Sequence, residues 1–362
     1  MERISIDGNR LKLTAPLPIA PYDEAFIDFY PNNGIVSSGT NDVTIRDVHL
    51  RNIVNFAVLL SGVRNSRIER VHVADSGSLN KTGRNNTTGG ILLEEGTTDF
   101  LVRNCVFVNV RGNGVWTHSR YTSERSARGR ITENRFRTIG RDAIQVGHAT
   151  EVRVDGNSGS RIGYPHSVVD MEGGGMPVAI DTAGNVDKSI YERNRFEEIN
   201  GKCIDLDGFH HGDVRENTCV NRRPAAAYPY GHFGIVFNNT NPDMQSESIR
   251  VVDNVIDGTK YGGIFVIGHG HTIQRNRLTR LNLAGCNESH KQFGCIYNAE
   301  EPEILQTGIY LGKKAERPAP SRDNTISDNV IQGFKMAERC IAAASGIDLK
   351  ANIIERNDCR NR

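Results

Sequence analysis

The chain has 362 residues, of which 37% are hydrophobic and 24% charged, so it is long and apolar enough to bury a sizeable core. Its 44 Lys and Arg residues balance its 43 Asp and Glu residues, and this formal net charge of +1 disfavours a nucleic-acid-binding protein. No apolar run reaches the roughly 18 residues that a membrane span needs. We therefore expect a folded chain with neither a nucleic-acid partner nor a membrane span.

The N-terminus is strand-like from its first residues. Met1 is followed directly by RISIDGNRLKLT, without the positively charged and apolar regions of a signal peptide. We interpret this start as lying inside a repeat, with a leader and the first coils trimmed away.

A short phrase recurs along the rest of the chain. It consists of an apolar residue, two mostly polar residues, Asn or a substitute, and a second apolar residue two positions further on. It begins at Thr44, Arg67, Leu101, Arg130, Ile190, Asp213, Ile249, Thr272, Thr325 and Ile353. Its asparagines include Asn134, Asn157, Asn194, Asn217, Asn254 and Asn276, which are 23, 37, 23, 37 and 22 residues apart. Such steps predict a solenoid with loops of variable length, in which the asparagines of successive coils hydrogen-bond as a ladder.

A second phrase follows the first after a short turn and alternates like a strand. It occurs as GVWTH at 114–118, AIQVG at 143–147, CIDLD at 203–207, GIVFN at 234–238, GIFVI at 263–267 and GIYLG at 308–312. The alternation predicts strands stacked in parallel from coil to coil, with the first large apolar residue inward. An antiparallel sandwich would explain the alternation but not the recurring Asn phrase.

The two phrases together resemble the coils of the right-handed parallel β-helix in the pectate-lyase-like and polygalacturonase-like superfamily, over nearly the whole chain. The resemblance implies an all-β solenoid with an Asn ladder and variable loops, forming one domain over residues 1–362. It is weak for activity, because such rods host lyases, hydrolases, epimerases, esterases and phage receptor-binding proteins. The polygalacturonase signatures Asn-Thr-Asp, Asp-Asp and Arg-Ile-Lys are absent, and GHGH at 268–271 follows its strand where that family's Gly-His-Gly precedes it.

The outward face of the second phrase carries an acidic group. Asp205 and Asp207 both point outward from CIDLD, and we align Asp181 beside Asp207 in the preceding coil. Adjacent coils lie about 4.8 Å apart and alternate residues about 6.6 Å apart, so these carboxylates form a compact cluster in which at least one pKa is raised. The predicted catalytic residues are Asp205, Asp207, Asp181, His210 and Lys202. A structural cation site or turn caps are the alternative roles of the aspartates.

Further residues on this face and its edge are predicted to bind substrate. They are Trp116, His118, Gln145, His148, His211, Tyr230, Asn238 and Tyr310. Trp116 and Tyr310 offer flat rings on which a sugar can stack, although Trp116 fits a packing role equally well.

These residues lead to three functional hypotheses. The first is a secreted or periplasmic glycoside hydrolase that cleaves a polysaccharide or oligosaccharide, with inversion favoured by the spacing along CIDLD. The second is a lyase or C5-epimerase acting on a uronate polymer. The third is a non-catalytic glycan-binding surface protein. Under each hypothesis a monomer or a trimer is expected. No resident cofactor is predicted, and a Ca²⁺ ion bridging sugar and carboxylates is left open.

Seven cysteines, an odd number without a Cys-x-x-Cys pair, argue against a structural zinc site. Cys286 with Cys295, and Cys340 with Cys359, are placed to close loops as disulfides if the protein is exported. Buried reduced cysteines in a cytosolic protein fit the sequence equally well.

Overall fold

The computed structural model of the protein describes residues 4–10, 25, 27, 32–79, 85, 88–169, 176–287, 295, 301 and 303–362. Regular structure in these residues consists of short strands and of 3₁₀ turns at His166–Val168, Ala225–Ala227, Ile304–Gln306 and Leu349–Ala351. The strands are β1 Ser5–Asp7, β2 Ile35–Ser38, β3 Asn41–Arg46, β4 His49–Arg51, β5 Phe56–Ser61, β6 Arg64–Glu69, β7 His72–Ala74, β8 Gly89–Glu94, β9 Thr98–Arg103, β10 Val106–Val110, β11 Asn113–His118, β12 Ser126–Ala127, β13 Arg130–Thr132, β14 Arg135–Ile139, β15 Ile144–Thr150, β16 Arg153–Asp155, β17 Ser158–Ile162, β18 Val178–Asp187, β19 Ile190–Glu192, β20 Arg195–Ile199, β21 Lys202–His210, β22 Asp213–Arg215, β23 Thr218–Val220, β24 Ile235–Asn238, β25 Arg250–Val252, β26 Val255–Asp257, β27 Ile264–Val266, β28 Thr272–Gln274, β29 Arg277–Leu281, β30 Ile309–Leu311, β31 Thr325–Ser327, β32 Val330–Gly333, β33 Ile341–Ala343, β34 Ile353–Glu355 and β35 Asp358–Asn361.

Each strand pairs in parallel with its counterpart in the next coil, which confirms the predicted parallel β-helix. The groove sheet, as we name it, runs β2-β5-β8-β11-β15-β18-β21-β24-β27-β30-β33. The side sheet runs β3-β6-β9-β13-β16-β19-β22-β25-β28-β31-β34, and β12 links it to the groove sheet. The back sheet runs β1-β4-β7-β10-β14-β17-β20-β23-β26-β29-β32-β35.

The core is a column of apolar side chains inside the coils. Ile144, Ile180 and Ile204 are register mates on the groove sheet and are at most 1% exposed. On the back sheet the rings of Phe107 and Phe136 stack with centroids 4.8 Å apart. The small residue that opens the second sequence phrase faces these rings, because a Cβ atom on Gly114 would lie 2.7 Å from the Phe136 ring.

The predicted Asn ladder is confirmed. Asn134, Asn157, Asn194, Asn217, Asn254 and Asn276 each donate from the side-chain amide to the Oδ1 atom of the next ladder asparagine, at 2.9 to 3.0 Å. The ladder extends to Asn329 and Asn357, and each buried member also donates to a backbone carbonyl oxygen. These bonds satisfy buried turn amides that would otherwise lack partners.

Three disulfides are formed, and Cys105 is a buried free thiol. The predicted pairs Cys286–Cys295 and Cys340–Cys359 are confirmed. The third, Cys203–Cys219, crosses the coil interior, with Cys219 in register with Phe196 of the preceding coil. The sulfur pair thus occupies the position where other coils pack a small residue against an aromatic ring.

Removal of the internal disulfide is expected to destabilise the rod. The Cys203→Ala/Cys219→Ala variant should lose about 3 kcal/mol of unfolding free energy, because the bridge closes a loop of 16 residues and fills the core. Urea unfolding monitored by circular dichroism measures this loss. An unchanged midpoint would show that the bridge contributes nothing, and Cys105→Ala is the matched control for cysteine removal without loop opening.

Candidate active site

The acidic cluster lies at the centre of the groove sheet, on the neighbouring strands β18 and β21 and in the turn before β15. Asp181 on β18 is in register with Gln145 on β15, and the pairing of Ile180 with Ile204 places Asp181 beside Asp205 on β21. The sequence alignment of Asp181 beside Asp207 was therefore wrong by two residues, because the insertion before β18 hides the register. A two-residue shift preserves the face, so Asp181 still points outward.

Lys202 and Asp205 form a buried ion pair at the start of β21. The Lys202 Nζ atom donates to the Asp205 Oδ2 atom, and the two residues are 9% and 6% exposed. The Asp205 Oδ1 atom is buried and has no hydrogen-bond partner. A buried acceptor without a partner is costly, so this oxygen is the acceptor of the ion pair that remains to be satisfied.

A chain of amides orients Asp181 from the other side. The Asn113 side chain donates to the Gln145 Oε1 atom at 2.8 Å, and the Gln145 Nε2 atom donates to the Asp181 Oδ2 atom at 2.8 Å. Predicted substrate contact Gln145 therefore acts in this structure as a support for a carboxyl group.

A fourth carboxyl group, Asp142, completes the cluster and was not predicted. Its Oδ1 atom accepts the Val178 amide at 2.8 Å, and its Oδ2 atom lies 3.5 Å from the Arg141 Nε atom. Asp142 directly precedes the second sequence phrase, in the turn RDAIQ. An acidic residue next to a strand of the groove sheet was the sequence feature that could have predicted it.

Burial and mutual repulsion raise the pKa values of this cluster. The pKa of Asp181 is well above its usual range because the group is buried and faces Asp142 and Asp205. Burial raises the pKa of Asp142 to about 6. Burial would lower the pKa of Lys202, but Asp205 and Asp181 raise it, so the ammonium stays charged.

Asp207 is bound to a wall of the groove. Its two carboxylate oxygens accept the backbone amide and the hydroxyl of Thr240, both at 2.8 Å, and burial raises its pKa to about 6. The loop after β24 that contains Thr240 reaches the loop after β11, where the Asn241 side chain donates to the Tyr121 hydroxyl. These two loops bridge the intervening coils along one edge of the groove sheet.

A cavity of about 130 Å³ lies on the C-terminal side of the carboxylates. Val236 is the register mate of Asp205, and Phe265 is the register mate of Val236. The cavity is lined by Met176, Lys202, His232, Phe233, Val236, Phe237, Asn238, Phe265, Glu301, Ile304, Leu305, Lys314, Ala315 and Glu316. Burial lowers the pKa of His232 to about 3, so the imidazole is neutral. Asn238, a predicted substrate contact, lines this cavity.

The two predicted aromatic platforms are buried. Trp116 is 6% exposed and packs with Phe56, Leu59 and Leu92, against which Ile27 also packs. Tyr310 is 1% exposed and stacks on Phe265 with centroids 6.2 Å apart. Neither ring presents a free face, because the outward side of the sheet is covered by other parts of the chain at both positions.

The predicted histidines and Tyr230 have no described hydrogen bond or ion pair with Asp142, Asp181, Asp205 or Asp207. His210 pairs with Asp187 in register, five residues beyond Asp205, and its Nδ1 atom lies 3.1 Å from the Gly208 carbonyl oxygen. This position separates His210 from Asp181, Asp205 and Lys202, with which it was predicted to act. His118 lies 3.9 Å from Glu94, His148 packs against Tyr121, exposed His211 lies 3.6 Å from Glu247, and the Tyr230 amide donates to Asn200.

Within the described residues, no group of three or more His, Cys, Asp or Glu side chains has the arrangement of a metal site. In the same part of the chain, no helix is long and apolar enough to cross a membrane.

Comparisons with known proteins address the fold. A family model described as right handed beta helix region matches residues 79–278. No curated protein matches the chain. Among solved structures, the Dettilon tailspike protein (gp208) is 13% identical with a TM-score of 0.53, over 88% of this chain and 63% of that chain.

Two further structures are similar at lower TM-scores. The GH136 lacto-N-biosidase from Eubacterium ramulus is 12% identical with a TM-score of 0.46, over 89% of this chain and 51% of that chain. The DFA-IIIase from Arthrobacter chlorophenolicus A6 is 11% identical with a TM-score of 0.49, over 89% and 88%. The chain thus spans 63% and 51% of the lengths of the tailspike and the lacto-N-biosidase. The family match, the parallel ladders and the Asn ladder agree: the chain belongs to the right-handed β-helix family.

Proposed function

We propose that the protein is a glycoside hydrolase that cleaves a neutral polysaccharide or oligosaccharide in the groove, with Asp181 as general acid and Asp205 as the partner carboxylate. The observation that carries this proposal is the difference between two neighbouring carboxyl groups. The pKa of Asp181 is well raised by burial, whereas Asp205 pairs with a lysine ammonium. Glycosidases need such a pair, one carboxyl group protonated and the other charged.

Asp181 suits the acid role because its surroundings favour the protonated form. Burial penalises its charge, and Asp142 and Asp205 repel it. The Gln145 amide fixes the Oδ2 atom, which leaves the other oxygen to donate a proton to a leaving group.

Asp205 suits the role of base or nucleophile. Lys202 binds its Oδ2 atom, and the unpartnered Oδ1 atom is the oxygen that can take a proton from water or attack the sugar. Lys202 is accordingly proposed as a positioning residue that holds the carboxylate, in place of the catalytic role predicted from the sequence.

The charge of the groove floor favours a neutral substrate. Asp142, Asp181, Asp205 and Asp207 line it, and the described cations that pair with them, Lys202 and Arg141, are each bound to one of these aspartates, whereas Lys314 lines the adjoining cavity. A lyase or epimerase needs a cation to neutralise the uronate carboxylate, and a carboxylate on the substrate would be repelled here. This arrangement ranks the hydrolase above the uronate enzymes.

The stereochemical outcome depends on which carboxylate pairs with Asp181. Adjacent strands are about 4.8 Å apart, close to the separation of about 5 to 5.5 Å between the carboxyl groups of retaining glycosidases. Asp207, the partner that would favour inversion, has both oxygens bound to Thr240. We therefore propose retention, in place of the inversion expected from the spacing within CIDLD.

The three disulfides support the proposal of a secreted or periplasmic enzyme. Disulfides form and persist in oxidising compartments such as these.

A panel of neutral and uronate glycans tests the proposed reaction. The purified protein should release reducing ends from a neutral glycan without the ultraviolet absorbance of an unsaturated uronate. Both signals together on a uronate polymer would contradict hydrolysis and identify a lyase. Binding of a glycan without any product would indicate the non-catalytic alternative.

The pH profile should respond to Asp142. A general acid works while protonated, so activity falls as pH rises through the raised pKa of Asp181. The Asp142→Asn variant keeps the acceptor for the Val178 amide but removes a charge that raises the pKa of Asp181. The alkaline limb of the pH profile of kcat, where activity falls as pH rises, should therefore move to lower pH. Asp213→Asn, on the side sheet, is the matched control and should leave the limb in place, and a limb that shifts upward in Asp142→Asn would contradict the assignment of Asp181.

A further inference from the structure

A second concave site lies on the back sheet, remote from the carboxylates. It is a cleft of about 520 Å³ rich in arginine, which we name the arginine cleft. Its lining residues with charged side chains are Arg10, Arg111, Arg137, Arg161 and Asp75. Four guanidinium groups against one carboxylate are a strong local excess of charge in a chain whose formal net charge is +1.

Many arginines elsewhere on the walls of the rod pair with an aspartate of the preceding coil. Examples are Arg70 with Asp47, Arg128 with Asp99 and Arg275 with Asp253, each with two contacts between 2.7 and 2.9 Å. These pairs neutralise the wall and leave their guanidinium groups occupied.

The arginine cleft departs from that pattern. Among the described residues, Arg111, Arg137 and Arg161 have no carboxylate within salt-bridge distance. Arg10 donates to the Gly77 carbonyl oxygen at 3.3 Å, but its buried Nε atom has no hydrogen-bond partner. Asp75, the one acid of the cleft, accepts a hydrogen bond from Asn109 at 3.2 Å.

Two observations describe the surroundings of these guanidinium groups. Burial and the nearby charge of Arg111 lower the pKa of Arg10. The Arg161 guanidinium lies over the Tyr164 ring, 5.3 Å from its centroid. Guanidinium forks without carboxylate partners match the geometry of oxyanions.

We propose that the arginine cleft binds an oxyanion group, sulfate, phosphate or carboxylate, carried on a glycan chain. The volume exceeds what a bare ion fills, so the cleft has room for the sugar that carries the group. A nucleic acid is a poorer fit, because the Tyr164 ring is covered by guanidinium groups rather than open to a base.

The experiment compares dextran sulfate with unmodified dextran of the same length, by calorimetry at low salt. The test variant is Arg137→Gln/Arg161→Gln, since both side chains are exposed and make no described hydrogen bond or ion pair. The matched control is Arg128→Gln/Arg275→Gln, which removes the same charge from paired positions. We expect saturable binding of dextran sulfate that weakens at least tenfold in the test variant and less than threefold in the control.

Several outcomes would overturn the proposal. An equal loss of affinity for dextran sulfate in both variants would mean that the polymer is attracted by the total charge of the protein. Equally tight binding of unmodified dextran would mean that the cleft does not recognise an oxyanion. Tighter binding of a single-stranded oligonucleotide than of dextran sulfate would overturn the glycan as carrier. Inorganic sulfate that competes only at a far higher concentration supports a glycan-borne group, whereas equal potency would assign a free anion. Glycan hydrolysis should be unchanged in the test variant, so this test stands apart from the proposed function.

Discussion

The Asp205→Asn variant is expected to lose kcat by roughly 10²- to 10⁴-fold, because the amide can neither take a proton from water nor attack the sugar. Asn keeps the size of the side chain and an oxygen that can accept from Lys202. Asp181→Asn should show a similar loss, since its amide oxygen still accepts from Gln145 but has no acidic proton to donate. Steady-state kinetics on the glycan found with the panel measures both losses.

Stability must be separated from catalysis in this test. Removing one charge of a buried pair costs about 3 to 5 kcal/mol in other proteins, and Asp205→Asn leaves the Lys202 ammonium with less compensation. The Lys202→Met/Asp205→Asn variant removes both charges and should recover stability without recovering turnover. Asp253→Asn, an exposed wall position, is the control for the substitution itself. Near-normal kcat in a folded Asp205→Asn variant would exclude Asp205 from the reaction.

The Asn194→Ala variant is expected to lose on the order of 4 kcal/mol of unfolding free energy. Asn194 accepts from the backbone and side-chain amides of Asn157, and donates to Asn217 and to the Val154 carbonyl oxygen. Alanine leaves these buried partners unsatisfied, at a cost of about 1 to 3 kcal/mol for each group that solvent cannot reach. Urea unfolding monitored by circular dichroism gives the free energy.

Asn65→Ala is the matched control for the ladder. Its side chain donates to Asp42 at the exposed surface, so its loss should stay within about 1 to 2 kcal/mol, which is the cost of alanine at the left-handed φ of 55° found there. Similar losses in the two variants would contradict the view that the buried ladder, rather than asparagine content, stabilises the coils.

The fold was predictable because its physical constraints repeat. Every coil must satisfy the same buried turn amides, so asparagine recurs at Asn134, Asn157 and the later ladder positions. Every coil must also bury one face of a strand, so Ile144 and Ile204 recur at the same phase. The internal disulfide escaped prediction, because Cys203 and Cys219 meet only when two different sheets close around the core.

The site was predictable only in part. Two outward aspartates in CIDLD identified the strand, since few strands place two carboxylates on one face. The strand register of Asp181 was predicted wrongly, because a long insertion precedes β18 and the sequence does not show where the strand resumes after it. The burial of Trp116 under Ile27 and the contact of Asp207 with Thr240 depend on loops that return from far along the chain, which a repeat pattern cannot describe.

Mass spectrometry of products formed in heavy-oxygen water tests the central claim most directly. If the Asp181 and Asp205 pair hydrolyses a neutral glycan, each new reducing end carries one solvent oxygen, and the label disappears with turnover in Asp181→Asn. A cleaved product without solvent oxygen would mean elimination instead of hydrolysis, and labelled product formed equally by Asp181→Asn would mean that the reaction occurs without this pair.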